Sequence, residues 1–271
     1  MHIGVDTLPV MPKDATDRNR TSPFAFTGNK FEFRAVGSHQ SCAGPNVALN
    51  TIVAESLDEI ATILEKAKGP KFNKTLQELL QKIVKEHKRV IFNGDNYSDD
   101  WKKEAARRGL PNFTNTPVAL KALSSAKAGK LFEKYKVLSK VELHSRYDIY
   151  VEEYEKTILI EGKLALDMAK TSIMPAVVQH QTMLASNILV LEQAGVSASV
   201  KEQKASLEKI SEIAASLLGA CGRLSSSIAK HDPAEIVAGM SQLRKQVDAA
   251  ELEVDDGLWP LPKYRELLFM Y

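Results

Sequence analysis

A helical pattern that runs from Ser139 to about Gly195 constrains the fold of this chain more than any other feature of its sequence. Ser139 and Glu142 have the spacing of a capping box, in which each side chain accepts a hydrogen bond from the other residue's backbone amide. Pro175 lies inside the pattern and lacks an amide hydrogen, so a kink or a break is expected there. Such a long element predicts a mostly α-helical chain.

Capping residues mark further helices on both sides of this element. The upstream helices are expected to run from Ser56 to Gly69, with Ser56 and Glu59 as a capping box, from Thr75 to Lys88, from Ser98 to Gly109, and from a cap at Thr116-Pro117. The downstream helices are expected at Val200–Lys230, at Pro233–Glu253 after an Asp232 cap, and at Tyr264–Tyr271. Short connections between the long helices predict antiparallel neighbours in a helical hairpin or small bundle.

One apolar stripe in the downstream part is expected to face the core. It consists of Ile210, Ile213, Leu217 and Leu218. The alternative is a groove for a partner, since a thin bundle leaves its flanks exposed.

The first fifty residues are different, being rich in glycine and proline with short apolar runs. Phe24–Phe26 and Lys30–Arg34 flank a Gly-Asn pair, which favours the tight turn of a β-hairpin. Side chains alternate between the faces of a strand, so the two phenylalanines of the second run share a face expected to pack on a core. Lys30, Glu32 and Arg34 share the other face. That face is either solvated or part of a site for phosphate and carboxylate, and periodicity alone does not decide.

Composition excludes several classes of protein. The 36 Lys and Arg against 34 Asp and Glu leave a net charge of +2, without the clustered basic face of a nucleic-acid-binding protein. No apolar run approaches the ~20 residues that cross a bilayer, and no signal-peptide pattern is present. The only cysteines, Cys42 and Cys221, form no C-x-x-C pair, which indicates a reducing cytoplasm. His144 and His180 fall within helical patterns, and no histidine has metal-ligand spacing.

The stretch from Arg18 to Arg34 resembles the signature of type III glutamine synthetases, and so does Ser41 to Asn46 with the Leu49-Asn50-Thr51 that follows. The helical region is similar to the C-terminal extension of that type, so the resemblance covers essentially the whole chain. It implies the final strands of a glutamine synthetase-type catalytic barrel followed by a long helical hairpin or bundle.

The resemblance also implies roles for individual residues. Arg20, in an Asn-Arg-Thr element, would bind the phosphates of ATP and of the phosphorylated intermediate, as a catalytic and nucleotide-binding residue. Lys30 stands where other types usually carry an arginine near the nucleotide, and would be a nucleotide-binding residue. Glu32 would ligate a divalent metal ion, Mg²⁺ or Mn²⁺. Arg34 would be catalytic and bind both glutamate and the transferring phosphate. These residue types suit that chemistry, because carboxylates bind hard cations and guanidinium groups bind phosphate and carboxylate.

The implied reaction is the ATP-dependent ligation of ammonia to glutamate through γ-glutamyl phosphate, with release of ADP and phosphate. The resemblance further implies a homo-oligomer, a dodecamer of two hexameric rings with active sites between subunits. Neither a nucleic acid nor a membrane is expected as a partner.

The chain departs from the family pattern in two respects. Ala25 stands where other glutamine synthetases place a second phosphate-binding arginine. The sequence also shows no β-grasp region, no histidine-rich metal segment and none of the remaining carboxylate ligands. One glutamate cannot hold a pair of metal ions. The polypeptide alone is therefore expected to be inactive.

These observations predict three parts. Residues 1–55 would carry the last strands of the catalytic domain, residues 56–138 short helices packed on it, and residues 139–271 the long helical extension. The alternative hypothesis is a helical structural or assembly module without catalytic activity.

Overall fold

The computed structural model describes residues 24–26, 31–34, 40–198 and 200–268, and this part of the chain is mostly α-helical, as predicted. Its helices are α1 (Ala43–Leu64), α2 (Lys71–His87), α3 (Asp99–Arg107), α4 (Thr116–Leu120), α5 (Ala126–Lys134), α6 (Lys140–Met168), α7 (Met174–Gln193), α8 (Val200–Lys230), α9 (Pro233–Glu251) and α10 (Tyr264–Leu268). A 3₁₀ turn, Lys88–Val90, follows α2, and a π-helical segment, Ala169–Ile173, joins α6 to α7. The chain divides into two compact units, Met1–Asp148 and Ile149–Tyr271.

The β part of the described chain consists of two short strands, β1 (Phe24–Phe26) and β2 (Phe31–Phe33), which pair antiparallel. Phe24 pairs with Phe33 and Ala25 with Glu32. The turn predicted at positions 27–29 lies outside the described residues. Phe33 is 51% exposed, so its predicted packing on a core is wrong for this chain. A two-stranded sheet needs a covering layer to bury an apolar face, and the described residues provide none at Phe33.

The first helices of unit 1 show where local capping signals succeed and fail. The Ser98 hydroxyl accepts a hydrogen bond from the Trp101 amide at 3.2 Å, which confirms the predicted start of α3. The predicted helix start at Ser56 is wrong, because the backbone is already helical from Ala43 and places Ser56 in the middle of α1. The cap of α4 is Asn115 rather than Thr116, since Asn115 Oδ1 accepts from the Val118 amide.

Arg108 attaches the C-terminal end of α3 to the segment after α2. Its Nη1 donates to the carbonyl oxygens of Arg89 at 3.0 Å and Ile91 at 2.8 Å. Its guanidinium lies 5.4 Å from the ring centroid of Trp101, which stacks on Phe92 with centroids 4.5 Å apart. Cation–π, hydrogen-bond and aromatic stacking contacts therefore hold these two segments together.

Glu104 completes this cluster on α3. It accepts hydrogen bonds from Arg107 at 2.6 and 2.7 Å and from Arg108 at 2.5 Å. These hydrogen bonds lower the pKa of Glu104 to about 2, and the bonds from Arg107 contribute most.

The long helical pattern of the sequence becomes two α-helices separated by the π-helical segment. The predicted capping box is confirmed, since Ser139 N donates to Glu142 Oε2 at 2.7 Å and Glu142 N donates to Ser139 Oγ at 3.2 Å. The predicted irregularity at Pro175 takes the form of the π segment just before it. α7 ends before Gly195, whose φ of +72° is left-handed and favours glycine.

Unit 2 is built around α8, which packs against α7 and α9. The bounds of α8 agree with prediction, and Asp232 caps α9 by accepting from the Ala234 and Glu235 amides. Ile210 and Leu217 are buried as predicted. The prediction for Leu218 is wrong, because it is 63% exposed. It lies 100° around the helix from Leu217, which turns it out of the core.

The core of unit 2 joins side chains from all its long helices. Its buried members are Ile158, Ala169, Ile173, Ala176, Val177, Ile210, Leu217, Ala220, Cys221, Leu224, Ile236, Leu243, Val247, Ala250, Val254 and Trp259. Among the described helices, none is both long and apolar enough to cross a membrane.

Candidate functional site

Glu32 of β2 and Arg34, the residue directly after β2, form the candidate site. The two residues are two positions apart, and their side chains project to the same side, where they touch. Arg34 Nη2 donates to Glu32 Oε2 at 2.9 Å, and the two side chains are 26% and 32% exposed, respectively. The site therefore holds a carboxylate and a guanidinium in direct contact, each partly exposed to solvent.

The two other predicted site residues, Arg20 and Lys30, lie outside the described residues. Ala25, where the family pattern calls for an arginine, is described as the backbone partner of Glu32 across the two strands.

Glu32 fits one ligand of a divalent cation but not a complete site. Its carboxylate oxygen is the kind of donor that Mg²⁺ and Mn²⁺ prefer, and it is accessible. Across the described ranges, no group of three or more His, Cys, Asp or Glu side chains could hold a metal ion. A cation at Glu32 would therefore take its further ligands from bound phosphates, water or residues beyond the described ones.

The histidines and cysteines singled out in the sequence lie on the helices or at a helix end: Cys42 precedes α1, and His144, His180 and Cys221 lie on α6, α7 and α8. His144 Nε2 is 3.7 Å from Asp148 on the surface of α6, and His180 Nδ1 accepts from the Asp255 amide at 3.4 Å. Cys42 is exposed, whereas Cys221 is buried in the core of unit 2. Burial raises the pKa of the Cys221 thiol, which makes it an unreactive core residue.

A second polar cluster, between α1 and α5, was not found from the sequence. Lys134 Nζ lies 2.8 Å from Glu55 Oε2 and 3.1 Å from Asp58 Oδ2, and the Tyr135 hydroxyl donates to Asp58 Oδ2 at 2.8 Å. The pKa values of both carboxyls are lowered, that of Glu55 chiefly by Lys134 and that of Asp58 chiefly by Tyr135. Because the partners are 76 to 79 residues apart, no local pattern could reveal the cluster.

Comparison with known proteins shows which family of proteins this chain is similar to. Residues 75–192 match the model of the glutamine synthetase C-terminal domain. The chain is 42% identical over 287 positions to the type-3 glutamine synthetase of Dictyostelium discoideum, an alignment covering 100% of this chain and 39% of the relative. It is 32% identical to a glutamine synthetase of Bacteroides fragilis (strain YCH46), over 99% of this chain and 39% of that protein. A glutamine synthetase of Butyrivibrio fibrisolvens is 33% identical over 95% of this chain and 38% of its own length.

The chain belongs to the glutamine synthetase family, as the resemblance of its N-terminal motifs predicted. Within that family it is similar along its whole length to a type-3 member. It spans about two fifths of the length of the curated relatives that it matches, 38% to 39%. The candidate site on β2 lies upstream of the residues matched by the domain model and inside the whole-chain similarity.

Proposed function

We propose that this chain supplies part of the active site of a glutamine synthetase, which ligates ammonia to glutamate at the expense of ATP. Its substrates would be glutamate, ammonia and ATP, and its products glutamine, ADP and phosphate. The observation that carries the proposal is the contact of Glu32 with Arg34 on one strand face of a chain 42% identical to a type-3 glutamine synthetase.

The reaction requires several anions to come together. The γ-phosphoryl group of ATP passes to the γ-carboxylate of glutamate, which gives γ-glutamyl phosphate and ADP. Ammonia then attacks the acyl carbon, the C–O bond to phosphate breaks, and phosphate leaves. Negative charge spreads over the transferring group, so catalysis depends on positioning and on cationic groups around it.

The proposed roles follow from the charges on the site face. Arg34 binds glutamate and the transferring phosphate through its planar fork of N–H donors. Arg20 binds the phosphates of ATP and of the intermediate, and Lys30 lies near the nucleotide. Glu32 ligates Mg²⁺ or Mn²⁺, which when bound would neutralise phosphate charge.

The assembly is also part of the proposal. A homo-oligomer, a dodecamer of two hexameric rings, would complete each site between neighbouring subunits. Residues beyond the described ones would provide the remaining metal ligands, and the 271-residue chain alone would be inactive.

A manganese-dependent γ-glutamyl transferase assay tests the proposal. It compares this chain with a longer version that includes the rest of a glutamine synthetase catalytic domain. We expect activity only in the longer version, and its loss in Glu32→Ala and Arg34→Ala. Arg244→Ala is the control, because Arg244 forms a similar pair with Asp248 at 2.5 Å on α9. Full activity of Glu32→Ala would reject the assigned role.

The absence of a three-residue metal cluster from the described residues favours a second candidate, a helical assembly module without catalysis. An inactive longer version that still assembles into an oligomer would support that candidate.

A further inference from the structure

Asn93 and Gly94 form the one asparagine–glycine pair of the sequence, in the segment between the 3₁₀ turn after α2 and the start of α3. In such a pair the glycine nitrogen attacks the side-chain carbonyl carbon of asparagine with little hindrance, because glycine has no side chain. A C–N bond closes a five-membered succinimide, the bond to the side-chain nitrogen breaks, and that nitrogen leaves as ammonia with the proton of the glycine amide. Water then opens the ring to aspartate or isoaspartate.

The structure leaves both reacting groups free. Asn93 and Gly94 are exposed and belong to no helix or strand. Within the part of the chain that the structure describes, neither the Asn93 side chain nor the Gly94 amide has a hydrogen-bond partner. No hydrogen bond therefore has to break before the nitrogen attacks, and water reaches the ring once it has formed.

The fold also requires the glycine of this pair. A Cβ at position 94 would stand 2.9 Å from Phe92 Cε1, closer than such contacts allow. The Phe92 ring is not free to move aside, because it stacks on Trp101. The close packing that excludes a side chain at position 94 thus keeps a reactive glycine next to Asn93.

The pair lies between two anchored stretches of backbone. On one side, Arg108 Nη1 donates to the Ile91 carbonyl at 2.8 Å. On the other, Asp95 Oδ1 accepts a hydrogen bond from the Tyr97 amide at 2.9 Å. Isoaspartate at position 93 would route the main chain through the former side chain and lengthen it by one carbon between these anchors. It would also place a new carboxylate two residues from Asp95.

We propose that Asn93 is a site of spontaneous deamidation, and that its isoaspartate product loosens the attachment of α3 to the segment after α2. Water is the only co-reactant, and the reaction is a slow chemical ageing of unit 1. The inference is independent of the proposed function, because it uses no residue of the candidate site.

The test follows the intact protein during incubation at neutral and at mildly alkaline pH. Peptide mass mapping measures the replacement of NH₂ by OH at each asparagine, and labelling by an isoaspartyl methyltransferase detects isoaspartate. Asn112 is the matched control, because it is also exposed and outside helices and strands but is followed by Phe113. We expect Asn93 to convert severalfold faster than Asn112, at a rate that rises with pH because the attacking nitrogen must lose its proton. Equal rates at the two asparagines would overturn the site.

Asn93→Gln tests the structural consequence. Its side-chain amide is retained, but the longer side chain would have to close a less favourable six-membered ring, so conversion at this position should be lost. After the same incubation, hydrogen exchange in the first turn of α3 should be faster in the wild type than in Asn93→Gln. Full conversion of Asn93 with exchange in α3 equal to that of Asn93→Gln would overturn the loosening.

Discussion

Gly162 of α6 lies against Ile236 of α9 so closely that a Cβ at position 162 would stand 2.6 Å from Ile236 Cγ2. Gly162→Ala should therefore destabilise unit 2 by about 1–3 kcal/mol through overpacking, although alanine favours a helix by about 1 kcal/mol. Urea unfolding of the wild type and of Gly162→Ala measures the difference in their free energies of unfolding. Gly222 of α8 is the matched control, because a Cβ there meets nothing within 4 Å. Gly222→Ala should stabilise, and a stabilising Gly162→Ala would show that the helices do not pack this closely.

Leu217 and Leu218 are neighbours in α8 with opposite environments, 0% and 63% exposed. Leu217→Ala should lower the free energy of unfolding by about 2–5 kcal/mol, because it leaves a cavity in the core. Leu218→Ala should change it by no more than about 0.5 kcal/mol. Thermal and urea unfolding of both variants provide the measurement. If both variants lost a similar free energy of unfolding, Leu218 would be covered in solution. That result would support the alternative in which this stripe binds a partner.

Ser139 caps α6. Ser139→Ala should lower the free energy of unfolding by about 1 kcal/mol, because the Glu142 amide loses its hydrogen-bond acceptor. Hydrogen exchange should show faster opening of the first turn of α6 in Ser139→Ala. Ser226→Ala serves as the control, since the exposed Ser226 hydroxyl only donates to the Gly222 carbonyl within α8. Unchanged exchange in the first turn of α6 would contradict the capping role.

Glu104 should make the stability of the chain depend on pH in the acid range. Its pKa falls from the ordinary value of 4.5 to about 2 in the folded chain. Its contribution is therefore complete above pH 4.5 and is lost as the pH falls towards 2. The stability difference between the wild type and Glu104→Gln should narrow over that interval and shrink at 1 M salt. A difference that is constant with pH would show that the two arginines do not hold the carboxylate in solution.

In the cluster between α1 and α5, we expect two substitutions to affect the pKa values of two different carboxyls, which NMR titration measures. Lys134→Met should raise the pKa of Glu55 most, because Lys134 is the main cause of its lowering. Tyr135→Phe should raise the pKa of Asp58 most, because the Tyr135 hydroxyl is the main cause there. Equal effects of both substitutions on both carboxyls would contradict the individual contacts.

Helix ends were predictable where a capping side chain acts within three residues of the end. The caps at Ser98, Ser139 and Asp232 were all predicted from the neighbouring residues, because the bonds that form them are local. The same reasoning failed at Ser56, whose spacing with Glu59 matches a cap although the helix has already begun at Ala43. A capping motif is compatible with a helix interior, and only the conformation of the upstream residues distinguishes the two.

The sequence by itself determined the mostly helical class, the break near Pro175 and the family, because these depend on local backbone chemistry and on a long linear motif. It also placed Glu32 and Arg34 on one strand face, since alternation follows from backbone geometry. Only the tertiary structure decided that these two side chains touch, that Leu218 points to solvent and that Phe33 is left uncovered. The contacts of Gly162 with Ile236 and of Lys134 with Glu55 likewise join residues distant in sequence, and periodicity carries no information about such pairs.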